Sequence, residues 1–183
     1  SVTNADDDTA GITVTPISGD TSEGGGTATF TIVLDAQPAS DVAIGISSSD
    51  LTEGLVWPAS VRFTTTNWNV VRTSTVSGED APVDDGDVAF TVLTGVAAST
   101  DANNSGLDAA DVTVTNTDDD TAGISVSPTS GLVTTEAGGT AMFTIVLNTQ
   151  PTGGVAIGLS SSHASEGSVA PASVMFTAAN WSV

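Results

Sequence analysis

The sequence predicts an all-β protein made of tandem immunoglobulin-like antiparallel β-sandwich domains, and three observations carry that prediction. Apolar and polar residues alternate along short runs, the period of a half-buried strand. β-Branched residues are abundant, and no window has convincing helical spacing. Turn-forming clusters such as S-G-D-T-S-E-G-G-G and A-Q-P-A-S-D separate the runs.

Each strand follows from its own alternation. Ile12 and Val14 open the first. In T-A-T-F-T-I-V-L, residues Ala28, Phe30, Ile32 and Leu34 face one way and Thr29 and Thr31 the other. Val42, Ile44 and Ile46 define the third, and Val61 with Phe63 the fourth. The stretch from Val70 to Val76 reads as a fifth, with polar residues between its valines. Val88, Phe90 and Val92 mark the sixth, and Val112 with Val114 the seventh. About seven short strands in about 110 residues match an immunoglobulin-like sandwich.

The chain also repeats itself. V-T-N-A-D-D-D-T-A-G-I-T-V-T-P, starting at Val2, returns at Val114 as V-T-N-T-D-D-D-T-A-G-I-S-V-S-P. The match continues to Val70 in the first copy and Val183 in the second, with one extra residue before Glu136. A period of about 112 residues is a whole domain per repeat, because solenoid units are far shorter. The repeat divides the chain into residues 1–8, a junction belonging to a preceding repeat; 9–120, a complete repeat ending in an aspartate triplet; and 121–183, the first part of a second, truncated repeat. The chain is expected to be a slice of a longer array, with the second repeat short of its last strands.

Net charge is −20, and the only basic side chains are Arg62 and Arg72. Neither nucleic acid nor an anionic membrane finds a cationic partner here. There is no cysteine, so disulfides and thiolate metal sites are excluded. No apolar run reaches the ~18 residues of a membrane span. The acid is unevenly placed. Residues 121–183 carry only Glu136 and Glu166, whereas Glu79, Asp80, Asp84, Asp85 and Asp87 crowd one late loop. Asp6–Asp8 and Asp118–Asp120 each precede the first strand of a repeat.

Loops of a sandwich gather at its two ends, so these acidic segments can converge. Bunched carboxylates on irregular loops suit a hard divalent cation. Ca²⁺ takes ~6–8 oxygens in flexible geometry, whereas Mg²⁺ demands a near-octahedral cage. Zinc is disfavoured, because His163 is the sole histidine.

Three elements carry a family resemblance: D-D-D-T-A-G-I at the junction, a Glu followed by G-G-G-T-A-T-F-T-I-V-L, and a late V-x-x-x-D-x-x-x-x-D-x-D-x-x-F loop. Together they resemble the Calx-beta domain, a family that includes calcium-binding regulatory domains of sodium–calcium exchangers and many bacterial surface-protein repeats. The resemblance implies a Ca²⁺ site from Glu23, Asp80, Asp85, Asp118, Asp119 and Asp120. It extends less directly to Asp50, which His163 replaces in the second copy, and to Asp84. Asp6, Asp7 and Asp8 would serve a preceding domain, and Glu136 would be the matching ligand of the second repeat.

The expected function is a non-catalytic structural repeat of an extracellular or cell-surface adhesin, biofilm-matrix or filament protein, rigidified by calcium at its junctions. Expected partners are neighbouring repeats or copies of itself, with filament growth by strand completion; neither nucleic acid nor membrane insertion is expected. Two alternatives are a calcium-sensing regulatory module and a glycan-binding accessory domain. Trp68 and Trp181, equivalent in the repeat, are expected to pack on the core. Trp57 is not required by the fold, because Ala170 takes its place in the second copy. His163 has no acid in its own segment, so a Ser–His–Asp site is not supported.

Overall fold

A computed structural model describes residues 1–3, 5 and 7–183. Asp6, one of the residues assigned to a preceding domain, lies outside the described residues. The described residues form fourteen strands and no helix. Two units can be distinguished: Ser1–Ala81 with Asp85–Asp119, and Pro82–Asp84 with Asp120–Val183.

The first unit is an antiparallel β-sandwich, as the alternation predicts. Its strands are β1 (Ile12–Val14), β2 (Thr21–Ser22), β3 (Thr27–Leu34), β4 (Val42–Ser48), β5 (Gly54–Trp57), β6 (Ser60–Phe63), β7 (Arg72–Gly78), β8 (Val88–Thr94), β9 (Ala98–Ser99) and β10 (Val112–Thr117). One sheet has the order β1-β3-β7-β5, and the other the order β2-β10-β8-β4-β6 with β9 beside β4. Ala28, Phe30, Ile32 and Leu34 are all buried, as are Val42, Ile44 and Ile46 from the facing sheet. Phe63, Val76, Val92 and Val114 complete the core. Trp68 packs against it and accepts a hydrogen bond from the Leu34 amide through its carbonyl, whereas Trp57 is exposed.

The alternation marks seven strands and the described residues of this unit form ten, with β2, β5 and β9 additional; β2 and β9 are two residues long, too short to alternate. The fifth strand starts at Arg72 rather than Val70, and Val70 and Val71 are exposed in the approach to it. The sequence of β5, G-L-V-W, has no clean alternation and does not mark a strand. It is an edge strand held by β7, with Leu55 opposite Ser77 and Val56 opposite Val76. Gly54 is required there: a Cβ would strike the Phe90 ring.

The second unit has two antiparallel pairs, β11 (Ile124–Ser127) with β12 (Thr144–Leu147), and β13 (Val155–Gly158) with β14 (Ser173–Phe176). Leu147 and Phe176 are its buried large apolar side chains.

The feature that places the acids is the short parallel pair of β2 with β10, which sets Thr21 beside Asn116 and Ser22 beside Thr117. It joins residues almost a whole repeat apart, so the residues just after each strand emerge side by side. The Glu23 amide continues the pairing by donating to the Thr117 carbonyl at 3.0 Å.

Candidate metal centre

Glu23 follows β2 directly and is carried inward by that pairing, leaving it 4 % exposed. Its Oε2 is buried without a hydrogen-bond partner. A buried carboxylate oxygen that water cannot reach is costly unless a proton or a cation compensates it. Burial, and then the neighbouring Asp118 carboxylate, push the Glu23 pKa up to about 7; the Asp119 amide acts in the opposite direction, and Asp85 adds to the rise.

Acidic oxygens surround this residue. Carboxylate atoms of Glu23, Asp80 and Asp119 lie within 4.8 Å of one another. Two oxygens bound to one Ca²⁺ at about 2.3–2.6 Å can be at most about 5 Å apart, so this spacing fits one shared ion. Asp80 and Asp119 are exposed, which leaves the group open to ions from solvent. Gly24 allows the close approach: a Cβ there would sit 2.9 Å from Asp119 Oδ2.

The backbone holds the rest of the triplet in place. Asp118 Oδ2 accepts from the Gly86 amide at 2.7 Å, and the Asp118 amide donates to Asp87 Oδ1 at 3.1 Å. The acidic loop and the residues after β10 are thereby tied together. Below them Asn116, fully buried, accepts from Thr21 Oγ1 at 3.0 Å and donates to the Glu79 carbonyl at 3.0 Å. That network fixes the end of β10, and hence the position from which Asp118 and Asp119 project.

A second buried acid, Glu53, was not among the expected ligands. It is 7 % exposed, and its carbonyl accepts from the Glu79 amide at 3.0 Å. Burial raises its pKa; the Asn116 side chain opposes the rise, and the charges of Asp85 and Asp50 reinforce it. A signal for it existed in the repeat. Glu53 is equivalent to Glu166, as Glu23 is to Glu136, and those two are the only acids of residues 121–183. Beyond the aspartate triplet, the acids retained between copies are therefore the two that the first unit buries.

The remaining expected residues fall into different places. Asp85 acts on both buried glutamates through its charge. Asp50 caps its own turn: Oδ1 accepts from the Thr52 amide at 2.9 Å and the Thr52 hydroxyl at 2.6 Å, which holds its pKa low. Asp84 belongs to the second unit, where Oδ2 accepts from the Ala122 amide at 2.7 Å. Asp120 is half-buried. Asp7, Asp8 and Glu136 are exposed.

No protein-family model matches this chain. No curated protein matches it either. Among solved structures, WR4, a C. elegans MSP family member, is 16 % identical, with a TM-score of 0.38, over 58 % of this chain and 96 % of its own. SSP-19, an MSP-domain protein like family member in Caenorhabditis elegans, is 14 % identical, with a TM-score of 0.34, over 55 % of this chain and 92 % of its own.

Proposed function

We propose that the first unit is a calcium-binding, non-catalytic structural module, and that Glu23 is the ligand on which its metal centre is built. The observation that carries this reading is the buried, unpartnered Oε2 of Glu23 set among Asp80, Asp118 and Asp119. A divalent ion neutralises that group far better than a single proton does at neutral pH. Carboxylates on loops suit Ca²⁺, whose coordination is large and flexible. Glu53 belongs to the same acidic end, with Asp85 acting on both glutamates. The resemblance to Calx-beta domains points the same way.

The biological setting we propose is an extracellular or cell-surface adhesin, matrix or filament protein built from such repeats. Calcium there neutralises the aspartates at a junction and limits bending. Small-angle scattering in calcium and in chelator tests this role; the maximum dimension is expected to grow in calcium, and an unchanged value counts against rigidification.

The binding step has its own test. Calorimetric titration with calcium chloride is expected to give saturable binding that is weakened when Asp118 and Asp119 are both changed to asparagine. Titration heats that do not differ from buffer would remove the metal centre from consideration. Gly24→Ala is expected to weaken calcium about tenfold by pressing on Asp119, as changes just outside a coordination sphere do. Its thermal midpoint should match that of the unaltered chain, because Gly24 is exposed and has an ordinary backbone conformation.

A further inference from the structure

The outer face of the sheet β1-β3-β7-β5 carries a side-chain pattern that the metal centre does not use. Phe30 of β3 and Val76 of β7 turn into the core, so alternation turns Thr27, Thr29 and Thr31 of β3 outward together with Thr73, Thr75 and Ser77 of β7. Register sets them opposite one another in three rungs: Thr27 with Ser77, Thr29 with Thr75, and Thr31 with Thr73. Strand geometry places successive rungs about 6.5 Å apart and the two columns about 4.8 Å apart, so the hydroxyls form a regular grid. On β5 the same face continues with Leu55 opposite Ser77 and Trp57 opposite Thr75. Trp57 is 76 % exposed there, on a strand that β7 holds in place.

Two facts set this face apart. The chain has a net charge of −20, yet the one charged residue of these four strands is Arg72. Arg72 lies in the inward phase of β7, with its guanidinium over the Phe63 ring at 5.7 Å. The outward positions are therefore neutral. The second fact comes from the repeat. Leu55 and Trp57 become Ser168 and Ala170 in the second copy, and Thr29 becomes Met142. The fold does not demand an indole at this edge, and an exposed indole gains no burial from folding.

We propose that this face binds a neutral, β-1,4-linked glucan chain, with Trp57 as the stacking residue and the hydroxyls of Thr29 and Thr75 as its hydrogen-bonding neighbours. The axial C–H groups of such a ribbon make an apolar face that covers an indole, while its equatorial hydroxyls point sideways. Threonine hydroxyls donate and accept, as sugar hydroxyls do, so the two sets match without any charge. Charge selects among polysaccharides. An anionic chain is repelled by this protein, and a cationic one is drawn to the acidic loops instead. A protein partner fits less well, because a stable interface needs an apolar centre and here two apolar side chains stand beside a grid of hydroxyls.

Affinity electrophoresis of the 183-residue chain tests this assignment. The gels contain hydroxyethylcellulose, dextran or alginate, each with calcium and with chelator. Retardation is expected in hydroxyethylcellulose alone, to the same extent in both conditions, because the acidic end takes no part. Trp57→Ala is expected to weaken binding about tenfold or more, as loss of an aromatic anchor does. Its thermal midpoint should stay that of the unaltered chain, since the ring is exposed and alanine stands at the equivalent position. Thr29→Val combined with Thr75→Val, which keeps side-chain shape and removes the hydroxyls, should weaken binding several-fold. Absence of retardation in hydroxyethylcellulose overturns the proposal, as does undiminished retardation of Trp57→Ala. Equal retardation in dextran or alginate overturns the stated ligand class. Retardation that requires calcium moves the site to the acidic end and overturns it as well. A doubled mass in sedimentation that Trp57→Ala abolishes would overturn it in favour of a second copy covering this face.

Discussion

Glu23→Gln is expected to change the chain in two opposite directions: calcium binding is lost, and the calcium-free first unit becomes more stable at neutral pH. Both follow from one buried group. In the proposed centre a cation compensates an ionised Glu23, so removing its charge removes the main reason for an ion to bind. Without calcium the same charge is a burden. Its pKa stands at about 7 in the folded protein, against 4.5 for an ordinary glutamate. Below pH 4.5 the group is protonated in both states and costs nothing. Between pH 4.5 and 7 the unfolded chain releases the proton while the folded one retains it, so stability falls as pH rises.

Above pH 7 the full penalty applies. The shift corresponds to about 3 kcal/mol at most, and solvent screening at an end open to water reduces this to about 1–2 kcal/mol. A glutamine amide can instead donate to the neighbouring Asp118 carboxylate. Denaturant unfolding from pH 4 to 8 in chelator should thus show a decline for the native chain and a flatter profile for Glu23→Gln. A native profile that rises across this range would contradict the placement of Glu23. Added calcium should abolish the decline in the native chain and leave the variant unaffected.

The second large effect separates the two units. Phe30→Ala is expected to destabilise the first unit by about 3–5 kcal/mol, the range for removing a fully buried ring. Phe143→Ala, the same change at the equivalent position, should cost less than about 1 kcal/mol, since that ring is partly exposed already. Hydrogen exchange resolved by segment distinguishes these costs where a single melting curve cannot. Equal losses in the two units would mean that residues 140–147 are buried to the same degree in both copies.

The fold was legible because strand alternation is local. Ala28, Phe30, Ile32 and Leu34 can be assigned inward from four alternate letters, and the structure buries all four. β5 is not legible in this way, because an edge strand needs no alternation when one neighbour supplies its hydrogen bonds. Much of the candidate metal centre was legible as well, but only as a list of acids. Asp80 and Asp119 do lie with Glu23, whereas Asp50 is spent on its own turn and Asp84 on the Ala122 amide. Nothing in the composition of those loops separates a ligand from a turn cap, since both are aspartates in polar surroundings.

Sequence by itself determined the all-β class, the inward face of each main strand and the repeat. It also placed the acids in loops, because each of these depends on residues close together in the chain. Only tertiary structure decided which acids are buried. Glu23 and Glu53 have no local feature that marks them as interior; they are enclosed because β2 runs parallel to β10 and β5 runs beside β7. Burial in a sandwich is set by strands distant in sequence, and it is burial that turns an ordinary glutamate into a group that calls for a cation.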